Sequence, residues 1–134
     1  MVIDTSAIFA AIAGEADSGV FRNAIISAPL RLISAVTLLE TRIVLFSRSG
    51  SGALPILHEL LERAGIAVVP FDAAMADAAF DAFRRYGKDQ GHKAQLNIID
   101  CAAYALAKTR DLPLLFKGND FAATDIRPAL SFQP

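Results

Sequence analysis

Short apolar runs alternate with longer segments of helical periodicity along most of this chain. Four runs of strand character occupy residues 1–4, 30–33, 66–70 and 114–116. Between them, apolar side chains recur at intervals of three and four residues, which is typical of amphipathic helices. Strands that alternate with helices of about ten residues or more predict an α/β domain with a mostly parallel sheet and helices on both faces.

Capping residues indicate where several of these helices begin. Ser34 precedes a long segment that carries Glu40, and Asp72 precedes a segment that runs to about Tyr86. Serine and aspartate are common at such positions because their side chains accept hydrogen bonds from the first free N–H groups of a helix. Further helices are predicted directly after the first strand and at about residues 16–27, 54–64 and 97–109.

The length and hydropathy of the chain predict one domain, residues 1–134, with a real core. The hydrophobic fraction is 54% and the mean hydropathy is +0.41, both high for a soluble protein. No apolar stretch reaches the roughly 18 residues that span a bilayer, so no membrane association is expected. The apolar surplus instead predicts a surface patch that a partner or a second copy covers.

The N-terminal sequence and the cysteine content favour a cytoplasmic location. The N-terminus begins with a strand-like segment and lacks the basic and long apolar regions of a secretion signal. Cys101 is the only cysteine, which excludes an intramolecular disulfide and fits a reducing compartment. Its small, apolar neighbours favour a buried structural thiol over a reactive one.

The net charge of −1 excludes a protein that binds nucleic acid by bulk charge alone. A polyanion would have to be bound through a local basic patch and a metal ion. The candidate RNA contacts are basic residues around one helix end and the following loop. The alternative is that these residues are ordinary solvent-exposed charges with no ligand. The candidates are Arg84, Arg85, Lys88 and Lys93, with His92 between the last two.

Four carboxylates follow or adjoin apolar runs: Asp4, Glu40, Asp100 and Asp120. A buried carboxylate without a partner is costly, so each is expected either to pair with a cation or to bind a metal ion. No Lys or Arg lies within three residues of Asp4 or Asp100, which favours a metal. Asp4 and Asp120 also fall at the carboxyl ends of strands, where α/β folds bind ligands.

Such a cluster is suited to Mg2+ or Mn2+, because these ions take oxygen ligands and leave positions for phosphate oxygens. A bound divalent ion polarises a phosphodiester and makes hydroxide available near neutral pH. Three of the acids also have a clear structural alternative: Asp4 as a helix cap, Asp120 as a turn residue and Glu40 as a surface residue. Asp100 is harder to explain in this way, because core-type residues surround it in the sequence.

Four segments, in order, carry a resemblance to a known family: residues 2–7, 34–40, 97–107 and 114–121. They resemble the PIN-domain ribonucleases, specifically the VapC-type toxins of bacterial toxin–antitoxin pairs. The resemblance implies a three-layer α/β/α fold. One departure is Ile99, where many relatives have a small residue before the third acid.

The resemblance implies an acidic quartet, Asp4, Glu40, Asp100 and Asp120, around Mg2+ or Mn2+. Asp4 and Asp100 match the direct ligands, and Glu40 and Asp120 complete the pocket through water or by orienting the attacking water. Ser6 and Asn119 match supporting polar positions. Asp125, which recurs in similar sequences, is interpreted as a helix or turn stabiliser.

By the same resemblance, the expected reaction is endonucleolytic hydrolysis of RNA, often transfer RNA or ribosomal RNA, which arrests translation. Family members are similar in forming homodimers and in being inhibited by a small antitoxin whose tail blocks the acidic site. Both a homodimer and an antitoxin partner are therefore expected.

Two other functions fit part of the pattern. A Mg2+-dependent phosphatase or phosphotransferase would use Asp4 as nucleophile, but such enzymes usually carry a second aspartate two residues on, where this chain has Ser6. A non-catalytic metal- or protein-binding module would normally have lost one or more of the acids, and this chain keeps all four.

Overall fold

The computed structural model describes residues 1–131 and contains one parallel sheet. Its four short strands are β1 (Val2–Ile3), β2 (Leu32–Ser34), β3 (Ala67–Val69) and β4 (Leu114–Leu115). They lie in the order β3-β2-β1-β4, and each neighbouring pair is parallel. The α/β class and the parallel sheet predicted from the sequence are confirmed, although the strands are shorter than the apolar runs that predicted them.

Six α-helices are present in residues 1–131: α1 (Thr5–Ile12), α2 (Ser18–Ser27), α3 (Ala35–Ser49), α4 (Leu54–Arg63), α5 (Ala73–Tyr86) and α6 (Ile98–Arg110). The predicted caps are confirmed, since Ser34 accepts from the Val36 N–H and Asp72 from the Met75 N–H. Asn97 adds a capping box with Asp100 at the start of α6. None of these helices is both long and apolar enough to cross a membrane.

The core lies on both faces of the sheet, because neighbouring strand residues point to opposite sides. Val2 belongs to a core cluster with residues of α5 and α6, whereas Ile3 belongs to a second cluster with residues of α1, α2 and α4. Helices therefore cover the sheet on both sides, which confirms the three-layer α/β/α architecture.

Helix α3 leaves an apolar stripe uncovered. Leu39, Ile43 and Phe46 are each more than half exposed. The helix instead buries a different face, which includes Leu38 and Leu45. The periodicity in the sequence predicts that these apolar residues lie on a helix. It does not predict which of them pack against the core.

Candidate active site

Helices α1 and α3, the start of α6 and the segment after β4 enclose a cavity of about 450 Å³. All four acids singled out in the sequence lie on its wall. The lining residues are Asp4, Thr5, Ser6, Phe9, Ala10, Ala13, Glu15, Glu40, Val44, Arg48, Asn97, Asp100, Lys117 and Asp120. The structure thus brings together carboxylates from four separate segments of the chain.

Asp4 is the most buried of these acids, with only 6% of its surface exposed. It follows β1 and caps α1, and its Oδ2 accepts hydrogen bonds from the Ser6 amide at 3.0 Å and the Ser6 hydroxyl at 2.7 Å. Burial raises the pKa of Asp4, the hydrogen bonds from Ser6 oppose that effect, and the charge of Glu40 adds to it. Within residues 1–131, Asp4 has no ion pair with a basic side chain.

Asp100 lies in the first turn of α6, where the capping box fixes its side chain. Its Oδ2 accepts from the Asn97 N–H at 3.0 Å, and Asn97 Oδ1 accepts from the Asp100 N–H at 2.8 Å. Burial raises the pKa of Asp100 to about 7, although the Asn97 N–H acts in the opposite direction. The charges of Asp4, Asp120 and Glu40 raise it further, so the four acids interact electrostatically.

Glu40 reaches the cavity from α3, which forms one wall through Glu40, Val44 and Arg48; their four-residue spacing places them on the same face of the helix. The opposite wall is α1. The two helices are joined by the hydroxyls of Thr5 and Thr41, which lie 3.0 Å apart and are both buried. This link fixes the position of Glu40 relative to the end of β1.

Ser6 connects Asp4 to the segment that carries Asp120. Its hydroxyl donates to Asp4 and accepts from the Lys117 N–H at 2.9 Å. Asp120 itself is exposed at the cavity mouth. Asn119, predicted as a supporting residue, is exposed and does not line the cavity.

The predicted basic patch lies outside the cavity. Arg84 pairs with Asp81 at 3.7 Å and Arg85 with Asp125 at 3.3 Å. Neither arginine lines the cavity, and the same holds for the two lysines of the patch, Lys88 and Lys93.

The cations that do line the cavity are Arg48 and Lys117. Arg48 was not among the residues predicted from the sequence. Its place two helical turns after Glu40, on the same face of α3, is the signal that would have identified it.

The donor set fits a hydrated divalent ion. Within residues 1–131, no three His, Cys, Asp or Glu side chains converge closely enough to hold a metal ion by themselves. Mg2+ commonly binds through one or two carboxylates and keeps several of its water molecules. A buried Asp4 beside a half-buried Asp100, with further acids around them, matches such an open site.

Cys101 follows Asp100 but is not part of the cavity lining. It is buried, and burial raises the pKa of its thiol to about 11, with the charge of Asp100 contributing. The thiol is therefore protonated at neutral pH and poorly nucleophilic. The predicted buried position is confirmed.

Comparison with known proteins identifies the family. The PIN domain model matches residues 1–127. A ribonuclease VapC from Mycolicibacterium smegmatis is 48% identical over 126 residues, which cover 94% of this chain and 97% of the relative.

Solved structures share the fold at lower identity. Mycobacterium tuberculosis VapC20, described as a sarcin-ricin loop cleaving toxin, has a TM-score of 0.76 at 20% identity, covering 99% of this chain and 98% of that one. A toxin–antitoxin complex from Klebsiella pneumoniae has a TM-score of 0.66 at 16% identity, covering 92% of each chain. The chain therefore belongs to the PIN-domain family and, within it, to the VapC ribonucleases, the endoribonuclease toxins of toxin–antitoxin pairs.

Proposed function

We propose that Asp4 and Asp100 are the direct ligands of a Mg2+ ion, or of Mn2+, that serves RNA hydrolysis in this cavity. Ribonucleases of this family generally require a divalent metal ion. The observation that carries the proposal is that Asp4, Glu40, Asp100 and Asp120 line one cavity. The pKa of Asp100, raised to about 7 by burial and by the neighbouring acids, agrees with this crowding. Neither Asp4 nor Asp100 forms an ion pair with a basic side chain of residues 1–131, so the ionised empty site is disfavoured and a divalent cation is favoured.

The remaining residues of the quartet act around these ligands. Glu40 and Asp120 hold and orient the attacking water, and Ser6 fixes the carboxylate of Asp4 by its hydrogen bond of 2.7 Å. Asn119 precedes Asp120 in the same turn, and because it lies outside the cavity lining we assign it no contact to the ion. The bound ion supplies polarisation of the scissile phosphate and a lower pKa for water.

The substrate class is a structured cellular RNA, transfer RNA or ribosomal RNA, whose cleavage in the cytoplasm arrests translation. The description of VapC20 as a sarcin-ricin loop cleaving toxin supports a ribosomal target for this fold. Lys88 and Lys93 have no carboxylate partner within residues 1–131, and we assign them outer contacts to the RNA. Arg84 and Arg85 are held in ion pairs and are weaker candidates.

A cognate antitoxin is the second partner. The Klebsiella pneumoniae structure of the same fold is a toxin–antitoxin complex. A tail that covers a cavity lined by several acids must carry basic side chains.

Residues 1–134 act as a single nuclease domain in this scheme. The exposed stripe of Leu39, Ile43 and Phe46 on α3 is the homodimer surface.

The test is cleavage of total RNA by purified, antitoxin-free protein. Samples contain Mg2+, Mn2+ or EDTA, and the new RNA ends are mapped by sequencing. Defined cuts are expected with a divalent ion and none with EDTA. Asp4→Asn and Asp100→Asn are expected to abolish the cuts, whereas Asp77→Asn, an exposed acid on α5, is expected to keep them.

Two results would contradict the proposal. Cleavage that continues in EDTA would exclude the metal. Cleavage that survives in both Asp4→Asn and Asp100→Asn, in protein with native circular dichroism, would exclude these residues as ligands.

A further inference from the structure

The charges around the cavity are unevenly compensated. Five carboxylates line it, and Lys117 and Arg48 are its only cations among residues 1–131. The Lys117 ammonium is 3.0 Å from Glu15 and 2.8 Å from Asp17, so its charge is already paired. Arg48 makes no ion pair with any described carboxylate.

Arg48 is held in place by an aromatic ring instead of a carboxylate. Its guanidinium carbon lies 5.1 Å from the centre of the Phe9 ring, within the range of a cation–π interaction. Phe9 belongs to α1 and is partly buried against the core cluster that contains Ile3. The ring is therefore a fixed support. The guanidinium forms no hydrogen bond or ion pair with residues 1–131, so its N–H groups remain available for a ligand.

These features fit a phosphate group. A guanidinium presents a planar set of donors that binds phosphate through two parallel hydrogen bonds. RNA that enters the cavity is repelled by its acids, and the metal ion offsets that repulsion only near its own ligands. Arg48 is unpaired and preoriented at the exposed end of the α3 wall. It can attract RNA phosphates there, beyond the reach of the metal ion.

We propose that Arg48, supported by Phe9, forms a second phosphate-binding position for the RNA substrate at the rim of the cavity. The inference rests on the proposed function of the cavity and adds a substrate contact to it. Arg48 lies eight residues after Glu40 on α3, about 12 Å along the helix axis. It therefore binds a phosphate further along the strand than the one that is cleaved, and Phe9 is a positioning residue that acts through Arg48.

The antitoxin is a poorer match for this position. A segment that covers five carboxylates must be basic, and Arg48 repels a basic segment. An RNA strand carries a negative charge at every nucleotide and meets Arg48 favourably.

The test measures binding separately from cleavage. Fluorescence anisotropy of a labelled single-stranded RNA of mixed sequence is recorded with an Asp100→Asn protein in Mg2+ at several KCl concentrations. Each phosphate contact to a single strand contributes about 0.7 to the slope of log K against log salt. Arg48→Ala is expected to reduce the magnitude of that slope by about 0.7 and to weaken binding about tenfold.

Four further variants separate charge from geometry. Arg110→Ala removes the same charge from the other end of α6, about 15 Å from Asp100 along the axis, and is expected to leave the slope unchanged. Arg48→Lys should keep the slope but bind more weakly, because an ammonium cannot bind bidentately. Phe9→Leu should weaken binding without a change in slope, and Phe9→Tyr should restore it.

In the active protein, Arg48→Ala is expected to raise KM for RNA about tenfold with little change in kcat, because the contact lies away from the reacting atoms. Equal slopes for Arg48→Ala and Arg110→Ala would overturn the inference. So would an Arg48→Ala protein that binds RNA normally but resists its antitoxin. A wild-type protein that binds RNA with the predicted Arg48 contribution yet cuts nothing would instead contradict the proposed function.

Discussion

The buried hydroxyl of Tyr104 donates a hydrogen bond to the carboxylate of Asp125 and so joins α6 to the segment that follows Asp120. The Oδ2 atom of Asp125 also forms ion pairs with the Lys108 ammonium at 3.2 Å and the Arg85 guanidinium at 3.3 Å. The hydrogen bond from Tyr104, with the two cations, lowers the pKa of Asp125 to about 2. The carboxylate thus connects α5, α6 and the C-terminal segment, which holds the turn bearing Asp120 near Asp100.

Removal of this connection is expected to destabilise the protein moderately. Asp125→Ala leaves the buried Tyr104 hydroxyl without its acceptor, and the cost is about 1 kcal/mol because the carboxylate is partly exposed to solvent. Urea unfolding at pH 7 measures it. Glu59→Ala, which removes an exposed pair with Arg63, should change the free energy of unfolding by less.

The same carboxylate predicts a pH dependence. Since its folded pKa lies below that of the unfolded chain, its stabilisation is complete above about pH 4 and is lost as the pH falls towards about 2. An Asp125→Ala protein whose stability equals that of the wild type at pH 7 would contradict this role.

Asp100 predicts the opposite pH dependence in metal-free protein. Its pKa is about 7 when folded, against 3.8 in a model peptide, so the folded state retains a proton that the unfolded chain releases. Stability in EDTA should therefore fall as the pH rises from about 4 to about 7, by an amount on the order of 3 kcal/mol.

Urea unfolding in EDTA at pH 5 and pH 7.5 checks this expectation. Asp100→Asn should reduce the difference between the two pH values and should be more stable than the wild type at pH 7.5. Asp77→Asn serves as the matched control, because it is exposed on α5. A wild-type protein that is equally stable at both pH values would show that Asp100 is already ionised in the empty site.

Ser6→Ala is expected to weaken catalysis without unfolding the protein. The change removes the 2.7 Å hydrogen bond to Asp4 and leaves the Lys117 N–H without its acceptor. Groups that orient metal ligands typically contribute about tenfold to a hundredfold to activity or metal affinity. Initial rates of RNA cleavage at several Mn2+ concentrations measure the loss, with Ser27→Ala on the exposed end of α2 as control.

If Ser6→Ala cleaves RNA like the wild type at low Mn2+ concentration, the hydrogen bond to Asp4 does not support the site.

The exposed stripe of α3 predicts how the proposed homodimer is disrupted. Ile43→Lys places a charge in the middle of this stripe, where burial against a second copy would be costly. Sedimentation velocity should show a monomer for this variant and a dimer for the wild type. Ile26→Lys introduces the same charge at an exposed position on α2 and should leave the dimer intact; a dimer in both variants would exclude α3 as its interface.

The elements themselves could be predicted because their causes are local. Ser34, Asp72 and Asn97 stand next to the N–H groups that they cap, and the apolar periods that predict α3, α5 and α6 depend on neighbouring residues. The alignment of Asp4 with the end of a parallel strand follows from the same short-range pattern. The predicted first and last residues of the strands were less accurate. A strand ends where its hydrogen-bonded partner ends, and that partner is distant in the sequence.

The cations of the site could not be predicted in this way. The sequence pointed to the run around Arg84 and Arg85 because basic residues cluster there, whereas those side chains pair with Asp81 and Asp125. Arg48 lies outside any basic cluster in the sequence. Its spacing from Glu40 indicates the shared helix face, but its contact with the Phe9 ring exists only in the folded chain.

By itself, the sequence determined the α/β class, the helix caps and the four acids, since these depend on residue type and short spacing. Tertiary structure decided the raised pKa of Asp100, the link from Ser6 to Lys117 and the exposed face of α3. Charge, desolvation and packing act through space, so their strength depends on segments that are far apart in the chain and meet only when it folds.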